Sequence, residues 1–343
     1  MRHRHCQYLL NPQDFNDLLR SNSLKPLAIP LTLAIHHGTA GVMKTARFKR
    51  FAFLLLIYTL LVILWGAWVR ISHSGDGCGD TWPLCHGQLI PEAERGKTWV
   101  EYTHRLMSGV YGIVVILFWW ASRQVFEKGH LARKAALATL IFTISEALLG
   151  AKLVLFGLVT TNDTPYRAFV MALHQVNSFL LTASVAVCFE ASGLNRVLPV
   201  LTKSQKLHRR LPWIIVLVGI TGAWASLSNS LFPTQDLWSE FLADFSPDSH
   251  FLVRLRGLHP VLAVLGAGGL ALYFWIQAQT SEIFLVQRRS YQMALAIVAA
   301  VGFGFFTLIL HAPIWMKITH LALAQIIWIL LVQWVVFMRT QKT

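Results

Sequence analysis

The sequence predicts an all-α membrane protein, with eight transmembrane helices arranged as two parallel four-helix-bundle repeats. Three observations carry that prediction. Of 343 residues, 55% are hydrophobic and only 13% charged, with a mean hydropathy of +0.52, outside the balance of a soluble domain. Eight apolar runs are long enough to cross a hydrocarbon core that needs about 20 residues. Landmarks in the first four runs recur, in order, in the last four.

Residues 1–42 are polar and irregular, with His3, Arg4 and His5 clustered at the start. They read as a poorly structured tail, either a transit-type segment, against which Asp14 and Asp17 count, or an over-long start ahead of Met43. From Met43 the sequence MKTARFKRFAFLLLIY sets a basic flank before the first span, 51–70. The remaining spans are 105–122, 135–158, 168–190, 211–231, 255–277, 291–310 and 314–338. Gly or polar residues inside the second, third, fourth and sixth suit helices packed in a bundle.

The first span carries Gly66-Ala67-Trp68 and the fifth Gly222-Ala223-Trp224. His104 and His174 are followed by His259 and His320, each landmark about 150 residues from its counterpart. Duplication of a four-helix unit follows, with an N-terminal half at 43–195 and a C-terminal half at 196–343. Each unit holds an even number of spans, so both enter the membrane the same way, related by an axis along its normal.

The formal charge of +14 follows the loops and so calls for no nucleic acid partner. Lys44, Arg47, Lys49 and Arg50 precede the first span; Arg123, Lys128, Arg133 and Lys134 follow the second; Lys203, Lys206, Arg209 and Arg210 precede the fifth. Asp76, Asp80, Glu92 and Glu94 occupy one alternate loop and Asp236, Glu240, Asp244 and Asp248 another. The positive-inside rule therefore puts both termini in the cytoplasm or matrix and the acidic loops in the more oxidising compartment.

Ionisable side chains recurring at one depth on several spans mark a site. His104, His174, His259 and His320 each come early on an even-numbered span. Opposed imidazoles from facing helices can hold a haem iron between them, so the two pairs point to two bound haems. His311, near the end of the seventh span, competes with His320, and the repeat favours His320. Glu101 precedes His104 by one helical turn, a carboxylate able to act on whatever the histidine holds; it equally suits a helix N-terminus. Arg256 takes the matching place before His259, a guanidinium suited to an anionic propionate, and Gly257 would let a flat macrocycle approach the backbone. Cys78 and Cys85, in the first acidic loop, suit a disulfide or a redox pair, with copper or zinc binding alongside His73 or His86 as the alternative. Cys6 has no evident partner, and Cys188 reads as a small buried residue. Glu146 and Lys152 sit on roughly opposite sides of the third span, each toward the bundle interior, without an assigned role.

The fragments CGDTWPLCHGQLI from Cys78, EYTHR from Glu101, ALHQVN from Ala172, LRGLHP from Leu255 and IWMKITHLALAQIIWILLV from Ile314 together resemble the haem A synthase family over nearly everything after residue 50. The resemblance implies that the C8 methyl of haem O is oxidised, through hydroxymethyl and gem-diol stages, to the formyl group of haem A for terminal oxidases. It implies that His104 and His174 flank the iron of the substrate haem O, that Glu101 assists beside it, and that His259 and His320 ligate a resident haem B. As partners it implies the lipid bilayer, a haem O synthase and an electron donor, with room for a homo-oligomer. Some members carry a second cysteine pair, but residues 232–253 contain none; the single pair matches bacterial members, of the inner membrane, better than mitochondrial ones. A di-haem electron carrier of the cytochrome b type would use the same histidines but has no use for Glu101. A transporter would place charged or broken helices at mid-membrane.

Overall fold

A computed structural model describes residues 31–92, 96–194, 208–233 and 236–340, with side chains from Met43 onward. The chain divides into two compact units, Met1–Met43 and Lys44–Thr343. Of the first, only the helical backbone from Leu31 is described, so Cys6 and the readings of the tail lie outside the described residues.

Nine helices form among the described residues. They are α1 (Leu31–Ile71, with Met43–Ile71 long and apolar enough to cross a membrane), α2 (Gly96–Val125), α3 (Leu131–Leu155), α4 (Pro165–Ala191), α5 (Pro212–Leu231), the short α6 (Leu237–Phe245), α7 (Phe251–Thr280), α8 (Phe284–Ile309) and α9 (Ile314–Met338). All except α6 are candidate membrane spans. Each of the eight spans falls on one of the eight apolar runs of the sequence, several being extended at their ends, while the third stops at Leu155, three residues before its run ends, where the chain turns at Gly157 (φ 61°). α6 was not legible as an element, because its apolar face is short and lies within an acidic loop.

Local chemistry sets the starts. Pro165 opens α4 with its φ already helical, and Thr164 Oγ1 accepts the Arg167 N–H at 3.3 Å. Asp236 Oδ2 caps α6 by accepting the Ser239 N–H at 2.8 Å. α7 is interrupted at Gly257, because Pro260 has no N–H for the carbonyl four residues back, and a π-helical turn follows at Ala263–Ala267. Such a turn often marks a functional site; here Ala263, Val264 and Ala267 line a cavity of about 620 Å³.

The faces separate as a bilayer requires. On α2, Leu106, Val110, Ile113, Leu117 and Trp120 form an exposed stripe at helical spacing, whereas Tyr111, Val115, Phe118 and Ser122 are buried. α4 and α9 are the most enclosed spans, each with 56% of its most apolar window buried. They meet through Phe179 and Trp328, whose rings are 5.0 Å apart and whose indole N–H donates to Phe179 O at 2.8 Å. α3 packs on α4 through Ala132, Ala135 and Ala136 and a Thr139–Ser184 hydroxyl pair at 2.8 Å, the small-residue contact that lets helices approach without water.

Gly219 on α5 leaves the room that Phe179 fills: a Cβ there would lie 2.2 Å from Phe179 Cε2. Gly219→Ala should therefore cost about 1–3 kcal/mol by overpacking, read as a lowered thermal midpoint in detergent; an unchanged midpoint would show that Phe179 can move aside.

Candidate functional site

His259 on α7 and His320 on α9 face one another with ring centroids 6.3 Å apart and planes at 77°. Two imidazoles bound at about 2 Å on opposite sides of one metal ion have centroids about 6 Å apart. The geometry thus leaves room for an ion between them. Both line a cavity of about 620 Å³, within the roughly 300–1,000 Å³ usual for cofactor pockets. Its walls are mostly apolar, with Arg70, Lys317 and Asn229 among the few polar groups. His311 instead stands exposed in the α8–α9 turn at φ 56°.

Bare backbone faces three of the four histidines. A Cβ on Gly66 would lie 2.9 Å from His104 Cε1, one on Gly222 3.0 Å from His259 Cε1, and one on Gly304 2.8 Å from His320 Cε1. The glycines of the two recurring Gly-Ala-Trp sequences therefore do the same thing: each lets an imidazole rest against a helix. His259 Nδ1 lies 3.2 Å from Val218 O and 3.4 Å from Thr221 Oγ1. The Nδ1 atoms of His104, His174 and His320 are buried without a hydrogen-bond partner.

His104 lies on α2 and His174 on α4. One turn before His104, Glu101 is buried. Its Oε2 accepts the Cys78 N–H at 2.8 Å, and its Oε1 accepts from Arg105 Nε at 3.1 Å and Nη2 at 2.6 Å. Arg105 Nη1 donates to Thr81 O and Leu84 O, both at 2.6 Å. The pair is thus the floor of the outer loop, which Cys78 and Cys85 close as a disulfide with Cα atoms 4.5 Å apart. With both sulfurs joined, no thiolate remains for copper or zinc, and His86 Nε2 is engaged by Gly77 O at 2.9 Å.

The sequence offers Arg256 to a propionate; the structure turns each of its three guanidinium nitrogens toward oxygens of the protein. Nε and Nη2 reach Asp244 Oδ1 at 2.8 and 2.7 Å, Nη1 reaches Glu240 Oε1 at 3.0 Å and Asn229 Oδ1 at 3.2 Å, and Nη2 also reaches Glu240 O at 3.3 Å. Arg256 lines the cavity but chiefly anchors α6. Burial pushes the Asp244 carboxyl above its usual range, opposed by Arg256. Gly257 likewise makes room for Asp244, whose Cβ would lie 3.2 Å from an added methyl, rather than for a macrocycle.

Three residues gain places that the sequence alone left unassigned. Arg70, at the end of α1, enters the cavity of the last four spans, donates to Ser226 Oγ at 3.2 Å and keeps a buried Nε without a partner. Lys317 lies one turn before His320 in the same cavity, a cation in the position that Glu101 holds before His104. Glu146 meets α4: Ser178 Oγ donates to its Oε1, Asn177 Nδ2 donates to Oε2 at 2.5 Å, and His174 Nδ1 lies 3.5 Å from Oε2. The available signal was an acid inside an apolar run. Lys152 instead lies over the Tyr166 ring at 5.2 Å, and Cys188 is buried with its thiol donating to Ala132 O at 3.3 Å.

Residues 49–332 match the family described as cytochrome oxidase assembly protein, COX15-CtaA. A protein of Thermus thermophilus named protoheme IX farnesyltransferase is 38% identical over 301 residues, which are 84% of this chain and 48% of that protein. A heme A synthase of Shouchella clausii is 30% identical over 308 residues, 86% of this chain and 98% of that protein. A heme A synthase of Alkalihalophilus pseudofirmus is 41% identical over 167 residues, covering 47% of this chain and 53% of that protein. The chain spans about half the length of the Thermus relative.

Removing one partner of the Glu101–Arg105 pair strands a buried charge. Arg105→Ala should cost about 3–5 kcal/mol, and adding Glu101→Gln should recover much of that loss. A double variant as unstable as the single one, by thermal unfolding, would show that the loop rather than the charge pair carries the energy.

Proposed function

The chain belongs to the COX15-CtaA family of cytochrome oxidase assembly proteins, and from that premise we propose that it works as a haem A synthase. It oxidises the C8 methyl of haem O to a formyl group, through hydroxymethyl and gem-diol stages, the diol losing water. The observation that carries this reading is an inequality between two otherwise matching histidine pairs. Glu101, one turn before His104, is a preorganised carboxylate beneath a disulfide-closed loop, whereas Arg256 before His259 is locked into anchoring α6. The first histidine pair has a carboxylate one turn before His104; the second has Arg256 in that place, and the two acids lining its cavity, Glu240 and Asp244, are paired with that arginine.

The residues divide accordingly, in an N-terminal half at 43–195 and a C-terminal half at 196–343. His104 and His174 hold the iron of the substrate, haem O. Glu101, kept in place by Arg105 and the Cys78 N–H, takes and returns protons as the methyl carbon is oxidised. His259 and His320 are the ligands for a haem B, which when bound supplies one-electron transfer. The residues present fit that group: the 6.3 Å ring separation, the glycine clearances at Gly222 and Gly304 and the orphaned Arg70 Nε all suit a macrocycle with two carboxylates. Arg70 and Lys317, rather than Arg256, are the cations for those carboxylates. A relative named for farnesyl transfer to protoheme, about half of which corresponds to this chain, supports a farnesylated haem as substrate and a haem O synthase as partner. The basic and acidic loops favour cytoplasmic termini in a bacterial inner membrane.

Because Glu101→Gln also strands the Arg105 charge, its thermal midpoint and haem content are read first; the folded, haem-retaining variant should lose formyl product by two orders of magnitude or more, by mass spectrometry of extracted haems, and normal yield would remove Glu101 from the reaction. His259→Ala should deplete haem B while sparing haem O, and an unchanged haem B spectrum would overturn that ligand. Arg70→Gln combined with Lys317→Gln should weaken haem B retention in detergent tenfold or more, and equal retention would leave the carboxylates with other partners.

A further inference from the structure

The two pockets differ at a second place. On α8, Gly304 presents bare backbone to His320, whereas on α3 Glu146 presents a carboxylate to His174. His174, Asn177 and Ser178 share one face of α4 at one-turn spacing, and all three converge on that carboxylate. Ser178 holds Oε1 and Asn177 holds Oε2. Asn177 is itself fixed, its amide also donating to Phe142 O at 2.9 Å and its Oδ1 accepting from Ser145 Oγ at 2.6 Å. The orphaned Nδ1 of His174 faces Oε2 at 3.5 Å, a gap that a small ring rotation closes when the opposite nitrogen engages a ligand. Among the described residues, no other member of the four histidines has an acid within ion-pair distance.

We propose that Glu146 is a positioning residue for His174: its carboxylate accepts the Nδ1 proton, leaves Nε2 bare toward the iron in the first pocket, and makes His174 the most electron-rich of the four ligands. A carboxylate behind a metal-bound imidazole fixes the tautomer and raises ligand basicity, which favours ferric over ferrous iron. His259, backed by the Val218 carbonyl, lacks that full negative charge. The fold therefore sets unequal electron affinities in two sites whose ligands are identical. The inference rests on the reading of His104 and His174 as ligands of the haem substrate.

The test compares wild type, Glu146→Gln, Glu146→Asp and His174→Ala, each purified after expression beside a haem O synthase. Haems are extracted and identified, and each pocket is titrated by spectroelectrochemistry. Glu146→Gln is expected to keep both haems while the ferric-to-ferrous preference of the first falls about tenfold or more, that of haem B stays fixed, and Glu146→Asp recovers part of the change. A first-pocket titration superposing on wild type overturns the proposal, as does an equal shift in both haems. Should Glu146→Gln fail to fold, Asn177→Ala and Ser178→Ala loosen the carboxylate without removing it, and an unshifted first pocket in both overturns the proposal equally. His174→Ala separates the failures: an unaltered first-pocket spectrum removes the ligand assignment itself, whereas an altered one beside an unshifted Glu146→Gln removes only Glu146. Two haem B groups of which only the one at His174 shifts in Glu146→Gln would overturn the substrate and sustain the positioning role.

Discussion

The close approach of an imidazole ring to bare helix backbone is the constraint on which the rest of the structure depends. Gly66, Gly222 and Gly304 each leave room that a single methyl would take from His104, His259 or His320. An imidazole inside an apolar bundle is costly unless its nitrogens find partners, and three of the four Nδ1 atoms have none within the protein. Pro260 and the π turn of the interrupted α7 line the same cavity as His259 and His320.

The loop after α1 and the loop after α5 are fastened by different chemistries. In the first, the disulfide closes the loop and the Glu101–Arg105 pair fixes it to α2 from below. In the second, which has no cysteine between 232 and 253, Arg256 grips Glu240 and Asp244 of α6. The absence of a second disulfide is thereby given a physical counterpart: an ion-pair cluster does what a covalent link does elsewhere. The exchange of Glu101 for Arg256 at matching positions also decides which pocket retains a carboxylate next to its histidine.

Much of this was legible in the sequence, because a bilayer imposes long apolar runs and makes every intramembrane ionisable group conspicuous. The eight spans, the four histidines and the unequal residues preceding His104 and His259 follow from pattern alone. The partners of charged residues do not. Arg256 has the right type and place for a propionate, yet α6, only nine residues long within an acidic loop, supplies two carboxylates that pair with it. Arg70 received no role from the sequence, because nothing in local spacing shows that α1 reaches the other cavity. Glu146 and His174 lie on different helices, so only the packing of α3 on α4 brings them together.

The central claim is that two matching histidine pairs hold chemically different haems. Pyridine-haemochrome quantification of purified wild-type protein, with mass spectrometry of the extracted haems after expression beside a haem O source, tests it most directly. One haem B per chain, accompanied by haem O, its hydroxylated form or haem A, is the predicted result. Two unmodified haem B groups per chain, with no farnesylated haem, would contradict it and make the protein an electron carrier.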